Sequence, residues 1–346
     1  MQKKKKRYTF LTECTIGFAF CLFVTFILPY LYDISLLYNK LQIAFFTVSI
    51  FFLSVCNVMR TTGHALQRAI RRMQRYDIPE AEQSARLLIS AAMGQRNLPE
   101  KNQIMTSEQI DRFDEYCDLR ITRRTPVQYI IGEWDFYNLV GLKMRPPVLI
   151  PRPETEELVD YAIKIVDSRK RLRILDPCSG SGAIGLALLR HFPDATCLAC
   201  DVNKDAVDLA TYNASLMGMS SRYECLKSCV SELVLEDDEF DLVVCNPPYI
   251  LTSDMNSLAP EVINHEDPLA LHGGKDGYDV TRNVLSSTAH YLRPGAQVLL
   301  ELDSSQPEHF ETWWLSSSIH DSTLQFVEWR RDFSSLPRFV RLGKVV

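Results

Sequence analysis

The stretch "RLRILDPCSGSGAIGLALLRHFP", Arg171 to Pro193, decides the architecture. It reads as a strand, then a glycine-containing loop, then a helix. "ATCLACDVNKDAVDLATYNASLMG", Ala195 to Gly218, follows as a strand, an acidic end and a second helix. "FDLVVCNPPYI", Phe240 to Ile250, contributes another strand, and "GAQVLLELD", Gly295 to Asp303, one more. Strands separated by helices argue for an α/β fold with a parallel sheet and helices on both faces. Ligands bind such sheets at the carboxyl ends of the strands, and the distinctive residues of this chain fall there.

The totals fit that reading. At 346 residues the chain has room for two domains or one large one. With 46% apolar and 23% charged residues it has the make-up of an ordinary globular enzyme. A net charge of −5 argues against holding nucleic acid through bulk electrostatics, although a local basic patch remains compatible with it. The ten cysteines are scattered without the spacing of a disulfide framework, which points to reduced thiols in a reducing compartment. Cys197 and Cys200 form the one tight pair. Three apart on a strand, they face opposite ways and are not expected to share a metal, so no metal site is assigned.

Upstream of the sheet the texture changes twice. Residues 1–60 form a hydrophobic N-terminal segment. Cys14 to Tyr32 and Leu41 to Met59 carry no charge, with the short polar break Asp33 to Lys40 between them. Each stretch is close to the length that spans a bilayer, and basic residues flank both outer ends. The segment reads as a transmembrane hairpin over 14–59, with a targeting segment, a buried helical pair or an N-terminus that the mature protein lacks as the alternatives. Residues 61–125 read as a small helical domain. In "IPEAEQSARLLISAAMG", Pro79 suits a helix start and Gly94 a stop, and in "TSEQIDRFDEYCDLRITRR" Ser107 is the expected N-cap. Residues 126–170 read as a connecting hairpin and linker, and 171–346 as the sheet domain.

The first loop suggests a cofactor. Asp176 ends a strand, and Cys178, Ser179, Gly180, Ser181 and Gly182 lead into a helix, where glycine lets backbone approach a ligand. Asp201 ends the next strand and can accept both ribose hydroxyls of a nucleoside, or else simply cap the following helix. Cys178 stands where the hydride-transfer fingerprint needs its first glycine, and no phosphate-loop Lys-Ser/Thr pair is present. An adenosyl ligand without a pyrophosphate, S-adenosylmethionine, fits best.

The corner Asn246-Pro247-Pro248-Tyr249 suggests the chemistry. An amide or aromatic NH2 group is a poor nucleophile because its lone pair is delocalised. Two acceptors on that group favour pyramidalisation and stabilise the charge that develops. The Asn246 side-chain oxygen and the Pro247 carbonyl can supply them, proline removes competing donors, and Tyr249 can hold a flat group in place. The corner alone leaves protein glutamine and nucleobase amines both open.

From about Gly63 to its C-terminus the chain resembles the HemK/PrmC family, the protein-(glutamine-N5) methyltransferases of peptide chain release factors. The resemblance rests on "TPVQYIIGEWDFYNL" (Thr125 to Leu139), "LIPRPETEELV" (Leu149 to Val159), the "GSGAI" loop and "NPPYI". "LAPEVINHEDPLALHGGKDGYD" (Leu258 to Asp279) and "RRDFSSLPRFV" (Arg330 to Val340) extend it. The wording is most like the mitochondrial, animal-type branch. The resemblance implies a Rossmann-like methyltransferase sheet behind a helical substrate-recognition domain. The activity it implies is methylation of the glutamine in the Gly-Gly-Gln motif of a class I release factor, a step in translation termination. It further implies a monomer with no direct nucleic-acid partner, in the mitochondrial matrix. Asp176, Cys178 to Gly182, Asp201 and Asn246 would hold the cofactor, and Asn246 to Tyr249 the substrate glutamine. Two other functions compete: an amino-methylating enzyme of nucleic acid, and a membrane-tethered binding protein with an inactive methyltransferase fold. The chain also departs from the family. Pro177 replaces an apolar residue, Ser228 to Val230 stand where an acid is common near the adenine, and Ser335 replaces glycine, a source of strain if its φ is positive.

Overall fold

The computed structural model describes residues 42–51, 58, 60–166, 171–235 and 240–345. The hairpin or targeting segment expected in the first sixty residues therefore lies mostly outside the described residues. Residues 42–51 are helical and mostly exposed. Among the described residues no helix is long and apolar enough to cross a membrane.

The chain divides into two compact units. The first runs to Arg68 and takes in Pro99–Ile110. Within it Thr61 bridges Ile104 in antiparallel fashion, and the Gly63 N–H donates to the Lys101 carbonyl at 2.8 Å. A capping box closes the end of this segment. The Gln109 N–H donates to Thr106 Oγ1 at 3.2 Å, and the Thr106 N–H donates to Gln109 Oε1 at 2.9 Å. Thr106, not Ser107, thus caps the helix Ser107–Thr122. The reciprocal glutamine three residues on decides between the two neighbouring hydroxyls.

The helical region contains α1 (Thr62–Arg75), α2 (Ala81–Ala92) and α3 (Ser107–Thr122). Gly94, at φ 67°, provides the stop expected after α2. A short helix α4 (Val127–Ile131) leads into an antiparallel hairpin, β1 (Glu133–Phe136) with β2 (Leu139–Lys143). Helix α5 (Pro153–Ile165) begins on the proline that suits its first turn.

The second unit, Ala69–Leu98 with Asp111 onward, holds the sheet. Its strands β3 (Arg173–Pro177), β4 (Thr196–Asp201), β5 (Tyr223–Lys227), β6 (Phe240–Cys245) and β9 (Leu292–Glu301) pair in parallel. Strands β10 (Leu324–Arg331) and β11 (Pro337–Lys344) extend it antiparallel, in the order β10-β11-β9-β6-β3-β4-β5. The small pair β7 (Ile250–Leu251) and β8 (His272–Gly274) lies apart from it. Alternate residues feed two cores. Ile174 joins Leu186 and Leu242 on one face, and Leu175 joins Val243 and Leu300 on the other. Leu158, Val159 and Ala162 of α5 pack into the first core. Each fully buried leucine or isoleucine contributes roughly 1.5–3 kcal/mol, and burial on both faces explains the unbroken apolar runs. Cys197 and Cys200 fall in different cores, as strand alternation requires.

Between β10 and β11 the chain turns through Ser335 at φ 65°, so the strain foreseen for this departure from glycine is present. Ser335→Gly is expected to stabilise the protein by up to about 1 kcal/mol, less the larger unfolded-state entropy of glycine. Equilibrium unfolding in urea checks this, and a loss of stability would contradict it.

Candidate active site

Strand β3 pairs with β4 on one side and β6 on the other, so the chain reverses its direction of winding there and opens a crevice at the carboxyl edge. The loop after β3 crosses this crevice through three left-handed residues, Cys178 (φ 58°), Gly180 (φ 55°) and Gly182 (φ 81°). Gly182 has no alternative, because a Cβ there would lie 2.9 Å from the Tyr223 hydroxyl and 3.2 Å from the Ala210 Cβ. At Gly180 a Cβ would meet nothing within 4 Å, so that face of the loop is open. Cys178 tolerates a conformation that favours glycine.

Asp201 secures the loop from the end of β4. Its Oδ2 accepts the Gly180 N–H at 2.9 Å and its Oδ1 accepts the Asn203 N–H at 2.9 Å. Burial raises its pKa, the Asn203 and Gly180 N–H groups lower it, Asp267 raises it again, and the Val202 N–H lowers it. Asn203, rather than Asp201, caps helix α7 (Lys204–Leu216), accepting from the Asp205 N–H at 2.8 Å. Backbone donors do not fill the four lone-pair sites of the two oxygens, which leaves Asp201 acceptor capacity toward the crevice.

Asp176 sits differently. It is fully buried behind the loop, where Oδ2 accepts the Gly185 N–H of helix α6 (Ala183–His191) at 2.9 Å. Its Oδ1 has no hydrogen-bond partner among the described residues. Burial pushes its pKa up to about 7, against the Gly185 donor and with a further push from Asp201. Ser179 and Ser181 are also buried. The cleft is lined by Cys178 and Gly180 from the loop, by Asp201, and by Asn246 and Pro248 from the end of β6. Asp176, Ser179, Ser181 and Gly182 stand behind that surface. Ser228, Cys229 and Val230, in place of the family's acid, line it as well. Sequence reading gave no role to the apolar walls Val202 and Leu269, although Leu269 lies inside the stretch Leu258 to Asp279 that extends the resemblance. Their 49% and 64% exposure marks them as waiting surface, and Val202 follows Asp201 directly.

At the corner after β6, parallel pairing sets Cys245 level with Leu300 of β9, so Asn246 and Glu301 emerge side by side. Asn246 Nδ2 donates to Thr155 Oγ1 at 3.2 Å, and Thr155 Oγ1 donates to Glu301 Oε2 at 2.8 Å. The Tyr249 hydroxyl approaches Glu301 Oε1 at 3.5 Å, the outer limit of a hydrogen bond. Glu301 is 1% exposed and Thr155 3%. Burial pushes Glu301 up to about 7, while Thr155 and Arg338 draw it down. Burial, then Glu301, raises the Tyr249 hydroxyl. Pro247 and Pro248 are buried. Glu301 escaped sequence reading because it ends a strand whose last run before it, Val298 to Leu300, is apolar; a carboxylate set between Leu300 and Leu302 was the available signal.

This strand order, glycine loop and Asn-Pro-Pro-Tyr corner define a Rossmann-like S-adenosylmethionine-dependent methyltransferase. The chain matches the family models described as the PrmC N-terminal domain, over residues 64–132, and the methyltransferase small domain, over residues 160–275. It is 36% identical over 283 residues to the human MTRF1L release factor glutamine methyltransferase, covering 77% of this chain and 82% of that protein. To the release factor glutamine methyltransferase of Bradyrhizobium diazoefficiens it is 34% identical over 294 residues, covering 82% and 96%. The chain belongs to the release factor glutamine methyltransferase family.

The buried Asp176 gives a pH signature. An acid whose pKa rises on folding, here from 3.8 to about 7, holds its proton more firmly when folded. Its stabilising contribution is present below the unfolded value and is lost as pH climbs to the folded one, by an amount on the order of 4 kcal/mol. Asp176→Asn should therefore gain on the wild type steadily between about pH 4 and about pH 7 in denaturant titrations, and level off above that. A gap independent of pH would contradict the assignment.

Proposed function

We propose that this protein transfers a methyl group from S-adenosylmethionine to the side-chain N5 of the glutamine in the Gly-Gly-Gln motif of a class I peptide chain release factor. Membership of the release factor glutamine methyltransferase family supports the substrate, and the Asn246 amide, committed through its NH2 to Thr155 at the edge of a cleft that Asp201 and Gly180 also line, supports the chemistry. That commitment leaves Oδ1 as the acceptor end of the amide. When bound, S-adenosylmethionine supplies an electrophilic methyl group on a sulfonium. The open face of Gly180 and the acceptors of Asp201 suit its backbone-hugging ribose, and the apolar Val202, Val230 and Leu269 suit a flat base.

In this reading Asn246 Oδ1 and the Pro247 carbonyl accept the two N–H bonds of the substrate amide, which turns the nitrogen lone pair toward the methyl group. Neither Pro247 nor Pro248 has an N–H to compete for those acceptors. Tyr249 bounds the far side of the amide. The helical region 61–125 presents the release factor. Arg120 of α3 supports this, since it donates to Glu261 at 2.8 Å, with the side chains 6% and 14% exposed. That ion pair ties α3 to α8 (Pro260–Ile263), the helical turn that follows the corner.

We place the enzyme in the mitochondrial matrix as a monomer, on its likeness to the animal-type branch. The two uncharged stretches of 14–59 with their basic flanks support a membrane anchor. Full-length protein released into the supernatant by alkaline carbonate washing would remove the anchor from this picture.

Methyl transfer to a purified release factor, compared with transfer to RNA, tests the substrate. Transfer to RNA alone would favour a nucleic-acid amino-methyltransferase, and calorimetry showing no cofactor binding would favour an inactive binding protein. Asn246→Ala should lose on the order of 2–4 kcal/mol of transition-state stabilisation with cofactor affinity nearly intact, and near-wild-type kcat would contradict its role. Asp201→Ala should weaken cofactor binding by roughly 1.5–3 kcal/mol for each charge-assisted hydrogen bond lost. Unchanged affinity in calorimetry would overturn the ribose assignment.

A further inference from the structure

We propose that Glu301 is a positioning residue that decides which end of the Asn246 amide faces the substrate, by setting the direction of the hydrogen-bond chain through Thr155. The inference rests on the methyltransferase reading above. Its premise is the geometry: Asn246 Nδ2 to Thr155 Oγ1 at 3.2 Å, then Thr155 Oγ1 to Glu301 Oε2 at 2.8 Å, with Thr155 and Glu301 both buried. An ionised carboxylate can only accept. Thr155 must therefore give its single hydroxyl proton to Glu301, and its oxygen is left as an acceptor. The amide end that faces this oxygen has to be the NH2, so Oδ1 turns the other way.

Reversing the first link reverses the chain. A donor in place of the Glu301 carboxylate could give its proton to Thr155, whose own proton would then go to Asn246 Oδ1. The amide would flip, and its NH2 would meet the NH2 of the substrate, donor against donor. The second oxygen of Glu301 lies near the Tyr249 hydroxyl, so one carboxylate addresses both ends of the Asn-Pro-Pro-Tyr corner. Charged and titratable neighbours reach it from each surrounding element: Arg338 of β11, Arg152 and Glu154 at the start of α5, and Tyr249 of the corner. Arg338 is itself held, donating to Asp332 Oδ2 and to the Leu302 carbonyl, both at 3.3 Å. Burial pushes Glu301 up to about 7, so above that pH it can only accept and the direction is fixed, whereas below it the carboxyl gains a proton that it can donate to Thr155 and the direction is no longer imposed.

The test uses the full chain with a release factor as substrate, and compares wild type, Glu301→Gln, Thr155→Val, Thr155→Ser and the Thr155→Val/Glu301→Gln pair. Turnover is measured against pH, and cofactor affinity by calorimetry. Glu301→Gln and Thr155→Val should each lower kcat by up to about 100-fold with little change in KM or cofactor affinity, the scale of a misplaced reacting group. The double variant should be no worse than the poorer single one, because both break the same chain. Thr155→Ser, which keeps the hydroxyl, should recover most of the loss. The wild-type fall in kcat as pH drops through about 7 should be missing in Glu301→Gln. Wild-type kcat in Glu301→Gln, additive losses in the double variant, or Thr155→Ser as poor as Thr155→Val would overturn the inference. Should Glu301→Gln not fold, the contrast between Thr155→Val and Thr155→Ser decides it alone. A wild type that binds the cofactor but leaves the release factor unmodified would refute the substrate reading instead.

Discussion

The parallel pairing of β6 between β3 and β9 is the constraint on which the rest depends. Cys245 stands level with Leu300, and Leu175 of β3 stands level with Val243. That register brings three chain segments out at one edge: the glycine loop after β3, the Asn-Pro-Pro-Tyr corner after β6, and Glu301 at the end of β9. Slipping β6 by one residue would exchange its two faces, burying in each core the residues meant for the other. Leu242 and Val244 fill one core and Val243 and Cys245 the other, so such a slip would force both to repack.

The same edge gathers three carboxylates, Asp176 and Glu301 buried and Asp201 half-buried. Asp176, Asp201 and Glu301 all have pKa values raised by desolvation, and each meets that cost differently. Asp201 collects backbone donors, Glu301 has a hydroxyl and the field of Arg338, and Asp176 has one backbone donor and an orphaned oxygen. Buried acids are a poor way to add stability. Of the three only Asp201 lines the cleft, while Asp176 holds the loop from behind and Glu301 acts on Asn246 through Thr155.

Legibility followed the range of the signal. Strand and helix alternation, the glycine loop and the proline pair are local patterns, and each could be placed from its own few residues. Gly94 and Ser335 could be read because left-handed backbone leaves a mark on residue choice. Local signals also misled where two residues competed for one role, as with Ser107 and Thr106 at the start of α3, where only the reciprocal bond to Gln109 separates them. What remained hidden was non-local. Thr155 and Glu301 are 146 residues apart and meet only once the sheet has formed. Val202 and Leu269 become a cleft wall by position alone. Asp176 sat correctly at its strand end, yet its carboxylate turns behind the loop toward Gly185.

The central claim is that this edge binds a glutamine amide and directs a methyl group onto its nitrogen. Tandem mass spectrometry of a release factor after incubation with the enzyme and S-adenosylmethionine tests it most directly, because fragmentation locates the added methyl group. The account predicts a single methyl group on the side-chain nitrogen of the Gly-Gly-Gln glutamine, absent when Asn246→Ala replaces the wild type. A methyl group on any other residue, or an unmodified Gly-Gly-Gln peptide from a cofactor-binding enzyme, would contradict it.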